Sequence, residues 1–102
     1  MTAIRNNLKK VNSSLSYISV TIDVILYDPN YHAVPNYISE INNAFQDTDE
    51  LIAENQFEAT NDMTDEEKEI ARKWYIADCD LQRLRQRFAS VLNILAALKV
   101  SA

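Results

Sequence analysis

Few side chains in this sequence could carry out covalent or acid–base chemistry, and they are scattered. His32 is the single histidine and Cys79 the single cysteine of the chain. A nucleophile needs a base within hydrogen-bonding reach, and His32 has no serine or cysteine partner in a recognisable local motif. One histidine and one cysteine also cannot build a structural zinc site. The sequence therefore predicts no catalytic residue, no metal site and no cofactor, and the function it indicates is non-enzymatic.

Carboxylates are the exception, because they are concentrated between residues 47 and 69. That segment holds ten acidic residues and one basic one, a local charge of −9, whereas the other 79 residues carry nine basic and five acidic ones, or +4. A calcium-binding EF-hand loop starting at Asp47 would need an oxygen ligand at its fifth position and a glycine at its sixth. Leu51 and Ile52 stand there, so the calcium pattern does not fit.

Two interpretations of the acidic segment remain open. The favoured one is a solvated helix end followed by a polar connection. The other is an acidic face that binds a basic partner or imitates nucleic-acid phosphates, because charge steers such encounters. The residues of that face are Asp47, Asp49, Glu50, Glu54 and Glu58.

Composition limits the remaining classes of protein. The chain has 102 residues, no glycine and a net charge of −5, which suits one all-α domain and disfavours phosphate-binding loops and strand-rich folds. An isoelectric point of about 4.7 argues against a nucleic-acid partner. The most apolar stretch, residues 17–27, is too short to cross a membrane and contains Asp23. With no signal-peptide pattern, we expect a soluble cytoplasmic protein without a membrane partner.

The spacing of apolar residues predicts three helices, over residues 3–27, 35–55 and 65–100. Each carries an apolar stripe with intervals of four and three residues, as in the heptad seams of coiled coils. Pro35 suits the first turn of the second helix. Thr64 and Glu67 form the pattern of a capping box at the start of the third. The predicted fold is an all-α, up-down-up bundle in a single domain, residues 1–102, with a long C-terminal helix.

The unequal helix lengths predict an interaction surface. If the first and third helices start at the same end, the apolar end of the third projects beyond its neighbours, and uncovered patches of that kind mark association sites. The expected interface combines this end of the third helix with tyrosines in and beside the connection between the first two helices. Its residues are Tyr27, Tyr31, Tyr37, Val91, Leu92, Ile94, Leu95 and Leu98. The sequence therefore favours a self-associating module, a homodimer of adaptor, chaperone or regulator type. The alternative is a small acidic inhibitor or decoy that blocks a basic site.

Charges beside the seam of the third helix allow two interpretations. Asp78, Asp80, Arg85 and Arg87 lie on its flanks. They would pair between two copies of the helix in either direction, or they are ordinary flanks of a bundle formed within one chain. Surface ion pairs contribute about 0–1 kcal/mol each, so these charges do not decide the association.

Overall fold

The computed structural model describes residues 2–27 and 33–101, and side chains for residues 2–27 and 33–98. It contains α1 (Thr2–Tyr27), α2 (Val34–Asn55) and α3 (Asp65–Ser101). Each of these six bounds lies within one residue of its predicted position, and the described residues form no strand. The prediction of an all-α, three-helix chain is confirmed.

Side-chain contacts between the helices give their directions. Asn7 Nδ2 donates to Asn55 Oδ1 at 3.1 Å and the Tyr17 hydroxyl donates to Glu40 at 2.6 Å, so α1 and α2 run antiparallel. The helices α1 and α3 are parallel. Arg5 forms an ion pair with Glu66 near the start of both helices, and Asp23 forms one with Arg87 further along both. The bundle is therefore up-down-up, and it forms a rod of 60 × 19 × 19 Å.

The apolar stripes of all three helices meet in one core along the rod. Trp74, Ile18, Ile22, Ile41, Leu81 and Val11 are fully buried in it. Thr48 takes a core position on α2, where its hydroxyl donates to the carbonyl oxygen of Ala44 at 2.6 Å. The connection between α2 and α3, which the sequence predicts to be polar, places one apolar side chain, Phe57, against this core. The seams therefore point inward, as their spacing predicts.

The predicted capping box is present at the start of α3. The Glu67 backbone N–H donates to Thr64 Oγ1 at 3.1 Å, and the Thr64 backbone N–H donates to Glu67 Oε1 at 3.2 Å. These bonds satisfy two backbone donors that the first turn leaves without helical partners. In α2, Pro35 occupies the first turn and Ala33 supplies no side-chain cap. Among the described residues, no helix has the length and apolar character that crossing a membrane requires.

Candidate interaction surfaces

At one end of the rod, α3 extends past the end of α1. Because Asp23 pairs with Arg87, Tyr27 at the end of α1 lies level with about residue 91 of α3. Some ten residues of α3 therefore extend further, about 15 Å at the helical rise per residue. Val91 is also the last buried residue of α3 among those whose side chains the structure describes. The core thus ends where α1 ends.

Several residues of the predicted interface are covered by their own chain. Val91 is buried in the shared core. Leu92, Leu95 and Tyr37 are partly buried and pack against that core. These four side chains contribute to the bundle itself, and Tyr31 lies outside the described residues.

Other apolar side chains at this end remain open to solvent. Two of them, Ile94 and Leu98, belong to α3, and Tyr27 belongs to α1. Leu26 of α1 is open as well, and so is Val20, which lies about two helical turns before the end of α1. The exposed fractions of these five side chains range from 40% to 82%. We call the four that lie at or beyond the end of α1 the end surface: Leu26, Tyr27, Ile94 and Leu98.

The difference between the two flanks of α3 explains which residues stay open. Arg85 bonds to Asp49 of α2, and Arg87 bonds to Asp23 of α1, so each arginine marks the flank that faces one neighbour. One heptad further on, Leu92 follows Arg85 on the α2 flank, and Ile94 follows Arg87 on the α1 flank. The α1 flank loses its cover where α1 ends, and Ile94 is consequently exposed.

The charged flanks of α3 are engaged within the chain. Arg85 bonds to Asp49 at 3.3 Å, and its guanidinium lies 5.5 Å from the centre of the Phe45 ring. Arg83 bonds to Asp80 of its own helix at 3.3 Å, and Arg87 bonds to α1. This agrees with the interpretation of these residues as flanks of a bundle formed by one chain.

The outward side of α2 is strongly acidic. This helix contains five acidic residues and no basic one. Asp47, Glu50 and Glu54 follow one another at intervals of three and four residues, and all are exposed, so they share one face. Asp49 instead turns towards α3 and pairs with Arg85, while Glu58 is exposed in the connection.

A groove of about 550 Å³ runs between α1 and α3 near the start of both helices. Its apolar lining consists of Leu8, Ile70, Ile76 and Ala77, and its charged lining consists of Arg5, Lys9, Glu66, Glu69 and Lys73. No residue of α2 lines it, so the groove opens on the side of the bundle away from α2. Sequence reasoning missed this groove because Ile76 lies outside the α3 stripe; its apolar character at a non-seam position was the available signal.

The residues considered for chemistry do not come together. No group of three or more histidine, cysteine, aspartate or glutamate side chains suited to a metal ion occurs within the described parts of the chain. Cys79 is half-buried, and its hydrogen bond with Tyr75 raises the pKa of that tyrosine. His32 lies outside the described residues.

Comparisons of this chain with protein-family models, with curated proteins and with solved structures found no match.

Proposed function

We propose that this protein is a non-enzymatic interaction module that forms a homodimer through its end surface. The observation that supports this is the set of four apolar side chains of the end surface, each at least 40% exposed, at or just beyond the end of α1. Exposed apolar residues that occur singly are normal, but a group gathered at one place marks an association site. A second copy offers the same surface, as an interface with twofold symmetry requires.

The distribution of charge favours a second copy at this end. None of the four residues of the end surface is charged, and the nearby Asp23 and Arg87 neutralise each other. Most of the acidic segment lies at the opposite end of the rod, where α2 ends and α3 begins. Two copies joined at the end surfaces would keep those acidic ends many Debye lengths apart, since the rod is 60 Å long and the Debye length is about 8 Å at physiological salt.

The association is tested by sedimentation equilibrium at tens of micromolar. We expect the wild type to have the mass of a dimer and the double variant Ile94→Asp, Leu98→Asp to have the mass of a monomer, because charges on this surface would be desolvated at the interface. Tyr75→Asp is the matched control: it changes an exposed side chain of the same helix outside the end surface and should remain dimeric.

Circular dichroism establishes that each variant is folded before its mass is compared. A monomeric wild type at these concentrations would contradict the homodimer. A double variant with the mass of the wild type would show that the end surface is not the interface.

A second candidate function follows from the acidic side of α2. As an inhibitor or decoy, the chain would cover a basic site of a larger protein with Asp47, Asp49, Glu50, Glu54 and Glu58. Two observations support this inhibitor function. The helix α2 has no basic residue, and neither Asp47 nor Glu54 forms an ion pair with any described residue. Carboxylates left unpaired on one face are available to a basic partner.

This second function predicts displacement of DNA from a basic DNA-binding protein, with an affinity that falls steeply as salt is raised. The triple variant Asp47→Asn, Glu50→Gln, Glu54→Gln should lose most of the displacement, and Asp78→Asn on α3 should retain it. Equal displacement by the wild type and the triple variant, or an affinity independent of salt, would exclude the decoy.

A further inference from the structure

The groove between α1 and α3 has an apolar base, and one apolar side chain beside it, Ile76, stays open to solvent. It is lined by residues 5–12 of α1 and 66–77 of α3, which corresponds to about 16 Å, or three helical turns, along α3. Leu8, Ile70 and Ala77 are buried at its base, whereas Ile76 is 43% exposed at its edge. The groove is thus long enough for a short helix, and Ile76 is the apolar side chain that such a helix would cover.

The acidic side chains that line the groove are already paired. Glu66 bonds to Arg5 across the groove. Glu69 accepts two hydrogen bonds from the Arg72 guanidinium, at 2.9 and 3.2 Å. These bonds lower the pKa of Glu69, which keeps it ionised and engaged with Arg72. Neither carboxylate has an uncompensated charge to offer a ligand.

The two lysines of the groove are in the opposite situation. Lys9 is on the α1 wall and Lys73 is on the α3 wall. Neither forms an ion pair with a described residue, although Lys73 contributes weakly to the lowered pKa of Glu69. Among the side chains that line the groove, the charge left without an ion-pair partner is therefore positive on both walls. A complementary ligand has an apolar face with a carboxylate on each flank.

We propose that this groove binds an amphipathic α-helix of a partner protein, with its apolar row on the groove floor and aspartate or glutamate on both flanks. Helices commonly bind in this way, through apolar anchors three and four residues apart. The bound helix would lie against α1 and α3 on the side away from α2 and would complete a four-helix bundle. This site is separate from the end surface, which lies at the other end of the same two helices.

The helix must come from another protein rather than from a second copy. Within this chain, α2 and the first half of α3 combine acidic residues with an apolar row. Both rows are buried in the core, the first formed by Ile41, Phe45, Thr48 and Ile52 and the second by Ile70, Trp74, Ala77 and Leu81. Neither helix can therefore offer its row to the groove of another copy without unfolding its own bundle.

The test is a selection from a displayed library of helical peptides against the full-length protein. The library keeps leucine at positions i, i+3, i+7 and i+10 and randomises the positions flanking that row. We expect enrichment of aspartate and glutamate at both flanks. The selected peptides should bind the variant Ile76→Glu, and the double variant Lys9→Glu, Lys73→Glu, at least tenfold more weakly than the wild type in fluorescence anisotropy.

Tyr75→Glu is the matched control, because Tyr75 is the exposed neighbour of Ile76 on the same helix and does not line the groove. It should bind the peptides as the wild type does. Peptides without acidic flanks, peptides that bind Ile76→Glu as tightly as the wild type, or a selection that enriches none would overturn the proposal. So would peptides that depend on Ile94 and Leu98 in place of Ile76, because they would occupy the end surface.

The failure of this proposal is distinguishable from failure of the homodimer. Ile76→Glu should leave the sedimentation mass unchanged, whereas Ile94→Asp with Leu98→Asp should change the mass and leave the peptide affinity unchanged.

Discussion

Thr48 and Trp74 both carry a polar group into the core, and these groups are satisfied to different degrees. Thr48 donates to its own helix through the Ala44 carbonyl oxygen. Trp74 is fully buried, and its indole Nε1 has no hydrogen-bond partner among the described residues. A buried donor without a partner costs about 1–3 kcal/mol. Trp74 therefore stabilises the core through its apolar area and loses part of that contribution at one atom.

Replacing Trp74 by phenylalanine tests this account. The variant leaves a small cavity but also removes the unsatisfied donor, so we expect the free energy of unfolding to fall by less than about 2 kcal/mol. Trp74→Ala, which removes the whole ring, should cost about 3–5 kcal/mol. Urea unfolding followed by circular dichroism measures both values. A Phe variant as unstable as the Ala variant would indicate that the indole N–H makes a stabilising bond.

At the scale of the element, α2 and α3 begin by different means. The start of α2 depends on the restricted backbone of Pro35 and has no side-chain cap at Ala33. The start of α3 has the reciprocal bonds of Thr64 and Glu67, and three acidic residues in its first turn complement the positive end of the helix dipole. The exposed connection before α3 therefore ends at a residue specified by local hydrogen bonds.

Thr64→Ala should lower the free energy of unfolding by about 1 kcal/mol, because the Glu67 backbone N–H loses its acceptor. Thr64→Ser keeps the hydroxyl and is the control, with a change of a few tenths of a kcal/mol at most. Urea unfolding measures both. Equal stability of the Ala and Ser variants would show that the hydroxyl contributes nothing to capping.

At the scale of the whole molecule, unequal helix lengths separate the core from the end surface. The core extends along α3 to Val91, with Leu95 partly buried beyond it. Beyond Leu95, the residues of α3 that extend past the end of α1 contribute little to the bundle, because Leu98 is more exposed than buried. The last turns of α3 are therefore available for association at little cost to folding.

Deleting residues 96–102 separates these two contributions. We expect the free energy of unfolding to change by less than about 1 kcal/mol, since every apolar side chain that the structure describes as buried remains. Under the proposed function, the same deletion weakens the dimer in sedimentation equilibrium. A loss of several kcal/mol would instead mean that the end of α3 is part of the core. The last residues of α3 would then not serve association alone.

Sequence alone determined the features that arise within single helices. A stripe with intervals of three and four residues must lie on one side of a helix, and a threonine three residues before a glutamate can cap it. These rules concern neighbouring residues, which is why the bounds of α1, α2 and α3 and their buried sides were predictable.

Tertiary structure decided which apolar residues outside the deepest core stay open. Leu92 and Ile94 are two residues apart and similar in character, but one flank of α3 faces α2 and the other faces the end of α1. Likewise, Ile76 borders a groove only because α1 lies beside it. Exposure depends on which helix is adjacent and where that helix stops, and the spacing of residues along one chain segment does not contain that information.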